Sequence, residues 1–205
     1  NIHSTVGLRA AAARDGIVLF AGPALDLQAV NFFAFSDNGT YLGSRALARY
    51  NNIRQWVDTG DALYTGVSTT VGNQGHIFKW SGRSADGDPF NFEVVGKIDL
   101  DAANIAYHAG HLYVTTWPVQ QLASLFYDSR VAGLWKSPAV PIGGLTGSDN
   151  DSWVRVWSVS DYEPDPIVAR TYGGGALASY NGTLYWGTMH VPFAGYAAAY
   201  LMSSS

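Results

Sequence analysis

Carboxylates are scarce in this chain of 205 residues, only 16 of which are Asp or Glu, so the segment Asp161-Tyr162-Glu163-Pro164-Asp165-Pro166 stands out. Oxygen ligands this close together suit a hard cation, which makes Asp161, Glu163 and Asp165 candidate calcium ligands. The EF-hand loop is absent, and the competing reading is a solvated turn bounded by prolines. Histidine offers a second chemistry. His76 and His190 are placed to bind a ligand or, as imidazoles gathered around an axis, a transition metal. His108 and His111 lack the helical spacing of a zinc-protease motif and read as turn residues. Trp117, in Thr115-Thr116-Trp117-Pro118, offers a ring on which a sugar or a partner side chain can stack. Asp101 and Glu163 are the pair that a two-carboxylate glycosidase would need to bring within a few ångströms. There is no Gly-x-Ser-x-Gly elbow, phosphate loop or dinucleotide fingerprint, and Gly173-Gly174-Gly175 reads as a turn.

Composition narrows the classes of function. Charged residues make up 14% of the chain, hydrophobic ones 47% and aromatic ones 14%, a balance that folds rather than staying disordered. The net charge of −4 comes without any basic stripe, so nucleic acid is not an expected partner. No apolar run approaches the roughly 20 residues of a membrane-spanning helix. Without cysteine there are no disulfides, thiolate metal sites or cysteine nucleophiles. A first residue that is Asn rather than Met points to a processed or excised chain, and a secreted, extracellular protein is the expectation. Three sequons, at Asn38, Asn150 and Asn181, fall in expected turns where a glycan can attach.

The elements that must position these residues are short strands. Two glutamates and three lysines against 23 glycines, 12 tyrosines and 7 tryptophans starve helices and favour strands and turns. One phrase recurs four times: a Gly in a turn, then Leu-aromatic-x-small, aligned on Leu19, Leu63, Leu112 and Leu184. Each copy follows a small, apolar segment such as Asn104–His108 or Ala176–Tyr180, which predicts a β-hairpin. A third strand follows at Phe32–Phe35, His76–Trp80 and Gly133–Lys136. Fourth strands are expected at Phe90–Val95 and at Trp153–Trp157, whose period-two alternation suits a half-buried edge. Four-stranded units of about 45 residues are the sequence form of a β-propeller blade. A β-sandwich is the alternative, but it does not require the repeated phrase.

The phrases Asn181-Gly182-Thr183-Leu184-Tyr185-Trp186-Gly187-Thr188 and Gly75-His76-Ile77-Phe78-Lys79-Trp80-Ser81-Gly82 resemble the repeats of bacterial secreted β-propeller proteins with Kelch-like and quinoprotein-like blades. Phe33–Gly43 is similar to the strand, polar turn and glycine of a quinoprotein blade. The resemblance covers nearly the whole chain and implies an all-β, propeller-like domain with units at about 9–50, 51–99, 100–172 and 173–205. It carries over no catalytic residue.

Four units leave ring closure open. A longer chain, a strand from Asn1 to Val6, or several chains forming a homo-oligomer would each complete it. Strand alternation puts Pro23–Asn31, Val67–Gly75, Trp117–Val131, Ser158–Gly174 and the segment from Met189 on one face, here called upper, and His108, His111 and Pro138–Ser152 on the other. Pro118–Arg130 is expected to form a short helix above the upper face. Trp80, Trp135, Trp153, Trp157 and Trp186 are read as packing residues. The functional expectation is a binding or structural module that holds a carbohydrate or protein partner through Trp117, His76 and His190 or through its blade edges. The alternatives are a hydrolase or lyase with a site on the upper face and a subunit of an extracellular assembly.

Overall fold

The structure, a computed structural model, describes residues 4–118 and 129–190. The protein is all-β and propeller-like, built from antiparallel meanders stacked face to face. The first sheet holds β1 (Ala10–Arg14), β2 (Ile17–Pro23), β3 (Ala29–Ser36) and β4 (Tyr41–Ala48) in that order. The second holds β5 (Tyr50–Asp58), β6 (Leu63–Thr69), β7 (Gln74–Trp80) and β8 (Phe92–Asp99). The third holds β9 (Asp101–His108), β10 (His111–Trp117), β11 (Gly133–Ala139) and β12 (Val154–Ser158), and a hairpin of β13 (Tyr172–Tyr180) and β14 (Thr183–His190) follows. One short helix, α1 (Pro166–Ala169), precedes β13. No helix among the described residues is long and apolar enough to cross a membrane. The helix expected over Pro118–Arg130 falls on residues 119–128, outside the described residues.

The repeated phrase lies on the second strand of each sheet, where Leu19, Leu63 and Leu112 are buried. Three of the four hairpins turn on two residues of positive φ, Asp15-Gly16 (50° and 69°), Ala109-Gly110 (47° and 80°) and Asn181-Gly182 (47° and 74°). That combination defines the tight turn whose twist matches the flanking strands.

The cores lie between sheets rather than inside any one of them. Leu19, Val30 and Phe32 of the first sheet meet Ile53, Phe78 and Trp80 of the second. Tyr64, Ile77 and Val95 meet Ile105, Leu112 and Trp153 across the next interface. Each new sheet therefore begins with a strand laid on the previous one: β5 touches β1, β2 and β3, and β9 touches β5, β6 and β7. The links are single residues, Arg49 and Leu100, both in the left-handed region at φ 72° and 65°. Leu100 donates its N–H to the Asn73 carbonyl at 2.9 Å and is itself fully buried.

On the lower face, the insertion after β11 closes against the second sheet. Lys79 donates to the Leu145 carbonyl at 2.6 Å and pairs with Glu93 at 2.8 Å, while Glu93 accepts the Gly147 N–H at 2.7 Å. Trp153 Nε1 donates to the Val95 carbonyl at 3.0 Å.

The structure corrects three expectations. Gly173-Gly174-Gly175 is no turn but the first part of β13, bulged between Gly174 and Leu177; a methyl group on Gly174 would stand 2.6 Å from Thr115 Cβ and 2.7 Å from the Thr116 carbonyl. The start of the described chain lies along the first sheet rather than the last: Thr5 bridges to Ala24, and Val6 donates to the Pro23 carbonyl at 3.0 Å. β12 is an edge strand, yet Val154 and Val156 point to solvent while Trp153 supplies the buried contact.

The close passage from the second sheet to the third generates a stability prediction. A methyl group on Gly75 would meet the Leu100 carbonyl at 2.9 Å and the Ala102 nitrogen at 2.8 Å, both backbone atoms that cannot rotate away. Gly75→Ala should therefore lower the unfolding free energy in urea by about 1–3 kcal/mol. Gly187→Ala, where a methyl group meets open space, should change it by less than about 0.5 kcal/mol.

Candidate functional site

Residues of four strands, β2, β5, β9 and β10, together with Arg9 just before β1 and two loops, frame a cleft of about 320 Å³ lined by Arg9, Pro23, Leu27, Asn51, Asn52, Arg54, Asn73, Asp101 and Trp117. Asp101 is the first residue of β9 and pairs across the ladder with Trp117, the last residue of β10. Arg54 sits on β5, where Arg54 and Gln55 together oppose Gly66, because Ile53 faces Val67 and Trp56 faces Thr65. An extra residue of this kind bends a strand and re-aims its side chains, and bulges recur beside functional sites. Here the bulge carries the guanidinium onto the Trp117 ring, with its carbon 4.6 Å from the ring centroid. Arg9 reaches the same rim and donates to Asn52 Oδ1 at 2.8 Å.

By strict hydrogen-bond geometry three buried polar atoms of residues lining this cleft lack a partner, Asp101 Oδ1, Arg54 Nε and Trp117 Nε1, although the Ser68 hydroxyl lies near enough to Asp101 to favour its ionised form. Buried polar atoms are nearly always paired in folded proteins, so three orphans at one cleft mark a place where a ligand can supply the partners. Burial pushes the Asp101 carboxyl up to about 6, against the pull of Arg54, Arg130 and the neighbouring Ser68 hydroxyl. The same burial lowers the Arg54 guanidinium from its ordinary value; nearby Arg9 acts in the same direction and Asp101 in the opposite one.

The other candidate residues are dispersed. His76 lies in a separate depression of about 420 Å³, with Arg49, Tyr50, Thr69, Val71 and Gln74. Its Nδ1 is 3.0 Å from the Tyr50 hydroxyl, and burial, with Lys97, lowers its basicity. His190, at the upper end of β14, stacks on Tyr172 with centroids 4.5 Å apart. His108 Nδ1 contacts the Ser179 hydroxyl at 2.9 Å, and His111 Nδ1 donates to the Ser137 carbonyl at 3.0 Å, so both serve local structure.

The expected calcium cluster does not converge, because each carboxylate caps a different stretch of backbone. Asp161 accepts the Ser158 N–H at 2.8 Å and Glu163 the Asp165 N–H at 3.0 Å. Asp165 caps α1 by accepting from Ile167 and Val168 at 2.8 and 3.0 Å. Among the described residues, no group of three or more His, Asp or Glu side chains is placed to hold a metal. Glu163 is not among the residues that line the cleft, where Asp101 is the one carboxylate among the described residues, so the cleft holds no carboxylate pair there. Trp186 sits mid-strand and 43% exposed, edge-on to Trp157 at 6.2 Å, rather than packed in a core.

Sequence reasoning placed Trp117, Asp101 and the segment that holds Asn73 on the upper face but did not single out Asn73, and it missed Arg54, Asn51, Asn52 and Arg9. The available signal was the Asn51-Asn52-Ile53-Arg54 run, polar residues around a buried Ile53 in what is now seen as β5.

Asp101 makes stability depend on pH. Its folded value of about 6 lies above the ordinary 3.8, so the folded chain holds this proton more tightly than the unfolded chain does. The stability it contributes is complete below about pH 4 and is lost as pH rises through about 6. Asp101→Asn, which keeps the shape and removes the charge, should raise the unfolding free energy at pH 8 by about 1–3 kcal/mol and converge with the native chain near pH 4. A native chain more stable than Asp101→Asn at pH 8 contradicts this reading; thermal melts across pH decide it.

No protein-family model matches the chain, and no curated protein matches its sequence. Among solved structures, it is similar to a β-fructofuranosidase of glycoside hydrolase family 32 from Bombyx mori, a point variant in complex with sucrose, at 10% identity and a TM-score of 0.42. The likeness covers 90% of this chain and 43% of that one, so the chain spans less than half the length of that enzyme.

Proposed function

We propose that the chain is a binding module whose upper-face cleft takes a small, hydroxyl-rich ligand of the carbohydrate class. The observation that carries this reading is that Asp101, Arg54 and Trp117, each with a buried polar atom lacking a partner by hydrogen-bond geometry, line a single cleft. The amides of Asn51, Asn52 and Asn73 add both donors and acceptors to its lining. Vicinal hydroxyls each donate and accept, so a wall of alternating amide, guanidinium and carboxyl groups suits them better than it suits an apolar ligand. Among the described lining residues, Pro23, Leu27 and Trp117 are the apolar or aromatic ones.

A second reading, a hydrolase or lyase, is favoured by the Asp101 carboxyl, whose proton is held up to about pH 6, near the range where a general acid or base works best. A single such group supports proton transfer but not the paired-carboxylate mechanism.

Calorimetric titration with a panel of neutral and acidic mono- and oligosaccharides tests the proposal. At least one sugar should bind, and its affinity should fall tenfold or more in Trp117→Ala and in Asn52→Ala, while Trp117→Phe shows that an aromatic ring at this position preserves the fold. A panel without any binder, or a binder indifferent to both alanine substitutions, overturns it.

A further inference from the structure

The charges in the cleft narrow the ligand further. Arg9 lies close enough to Arg54 to disfavour its charge, and among the described residues neither has a carboxylate oxygen within ion-pair distance. Two guanidiniums side by side, with Asp101 as the one carboxyl among the described lining residues, attract an anion when that carboxyl is protonated. Trp117 covers a face of the Arg54 guanidinium, so the groups left to hydrogen-bond lie on its planar edge, and Nε on that edge is buried and unpartnered. A planar edge of parallel N–H donors matches a carboxylate in bidentate fashion. Arg130, paired with Asp99 at 3.9 Å, donates to the Gly72 and Asn73 carbonyls at 3.4 and 3.3 Å and so holds the loop that presents Asn73.

We propose that the cleft's ligand is an acidic sugar, a uronic acid unit whose carboxylate docks on the edge of Arg54 with Arg9 beside it while the asparagine amides take its hydroxyls. This inference rests on the carbohydrate-binding reading and adds the charge of the ligand. Asp101 then acts as a gate. Ionised, it competes with the ligand carboxylate for Arg54; protonated, it is neutral and can donate a hydrogen bond. The charged and titratable groups facing it are Arg54 from β5 and Arg130 from the segment before β11, with the Ser68 hydroxyl from β6 and Asp99 at the end of β8, across Arg130.

The test compares galacturonate and glucuronate, as monomers and short oligomers, with galactose and glucose oligomers of equal length and with acetate. The uronates should bind at least tenfold more tightly than either control. Arg54→Met should remove that preference and Arg54→Lys, which keeps the charge but not the fork, should restore only part of it. Uronate affinity should rise severalfold as pH falls from 7.5 to 5, and Asp101→Asn should bind tightly with no pH dependence over that range. Neutral sugars binding as well as uronates overturn the acidic-sugar inference and leave the carbohydrate reading standing. Acetate binding as well as uronates refutes the sugar part, and the absence of binding by every sugar overturns both. Uronate binding that persists unchanged in Arg54→Met removes the assigned role of Arg54.

Discussion

The structure depends on one crossing of the backbone. Between the second and third sheets the chain turns on Leu100 alone and runs directly over Gly66 and Gly75, where a methyl group would stand 2.6 Å from Ala102 Cβ and 2.8 Å from the Ala102 nitrogen respectively. With no side chain on either glycine, β9 lies flat on β6 and β7. A leucine at positive φ costs about 1–2 kcal/mol. Full burial of the same side chain contributes about 1.5–3 kcal/mol, enough to hold the turn.

The cleft follows from that crossing. The residue after Leu100 is Asp101, so the short link that packs two sheets also takes a carboxyl out of water at the upper rim. The bulge in β5, opposite the same Gly66, brings Arg54 alongside, and the Asp101–Trp117 ladder pair places the indole against the guanidinium. By hydrogen-bond geometry three of their atoms lack a partner within the fold. A site of this kind subtracts from stability at neutral pH. That is the usual sign of a group retained for what it binds rather than for what it holds together.

Much of the architecture was legible because the Leu-aromatic phrase follows a two-residue hairpin in three of its four copies, and such turns leave a local Gly signal. The sheet-to-sheet links were not legible in this way. They use Arg49 and Leu100 at positive φ, residues that advertise no turn, so β4 and β5 left little trace, and Arg54 was hidden with β5. Asp101 and Trp117 were found because they flank the hairpin of the third sheet, which the phrase does mark. The triple glycine misled for the opposite reason: its small residues serve close approach to Thr115 and Thr116 within a strand, a demand that looks like a turn in sequence. The Asp161–Asp165 carboxylates looked like a cation site because sequence shows proximity along the chain but not which backbone amide each oxygen caps.

The cleft as a ligand site depends on a carboxyl desolvated at its rim beside Arg54. Titration of the Asp101 side-chain carbon by NMR, assigned through Asp101→Asn, measures that directly. An apparent pKa of about 6 is expected; a value near the ordinary 3.8 would mean that the carboxyl is solvated or fully paired and that the cleft is not the site described.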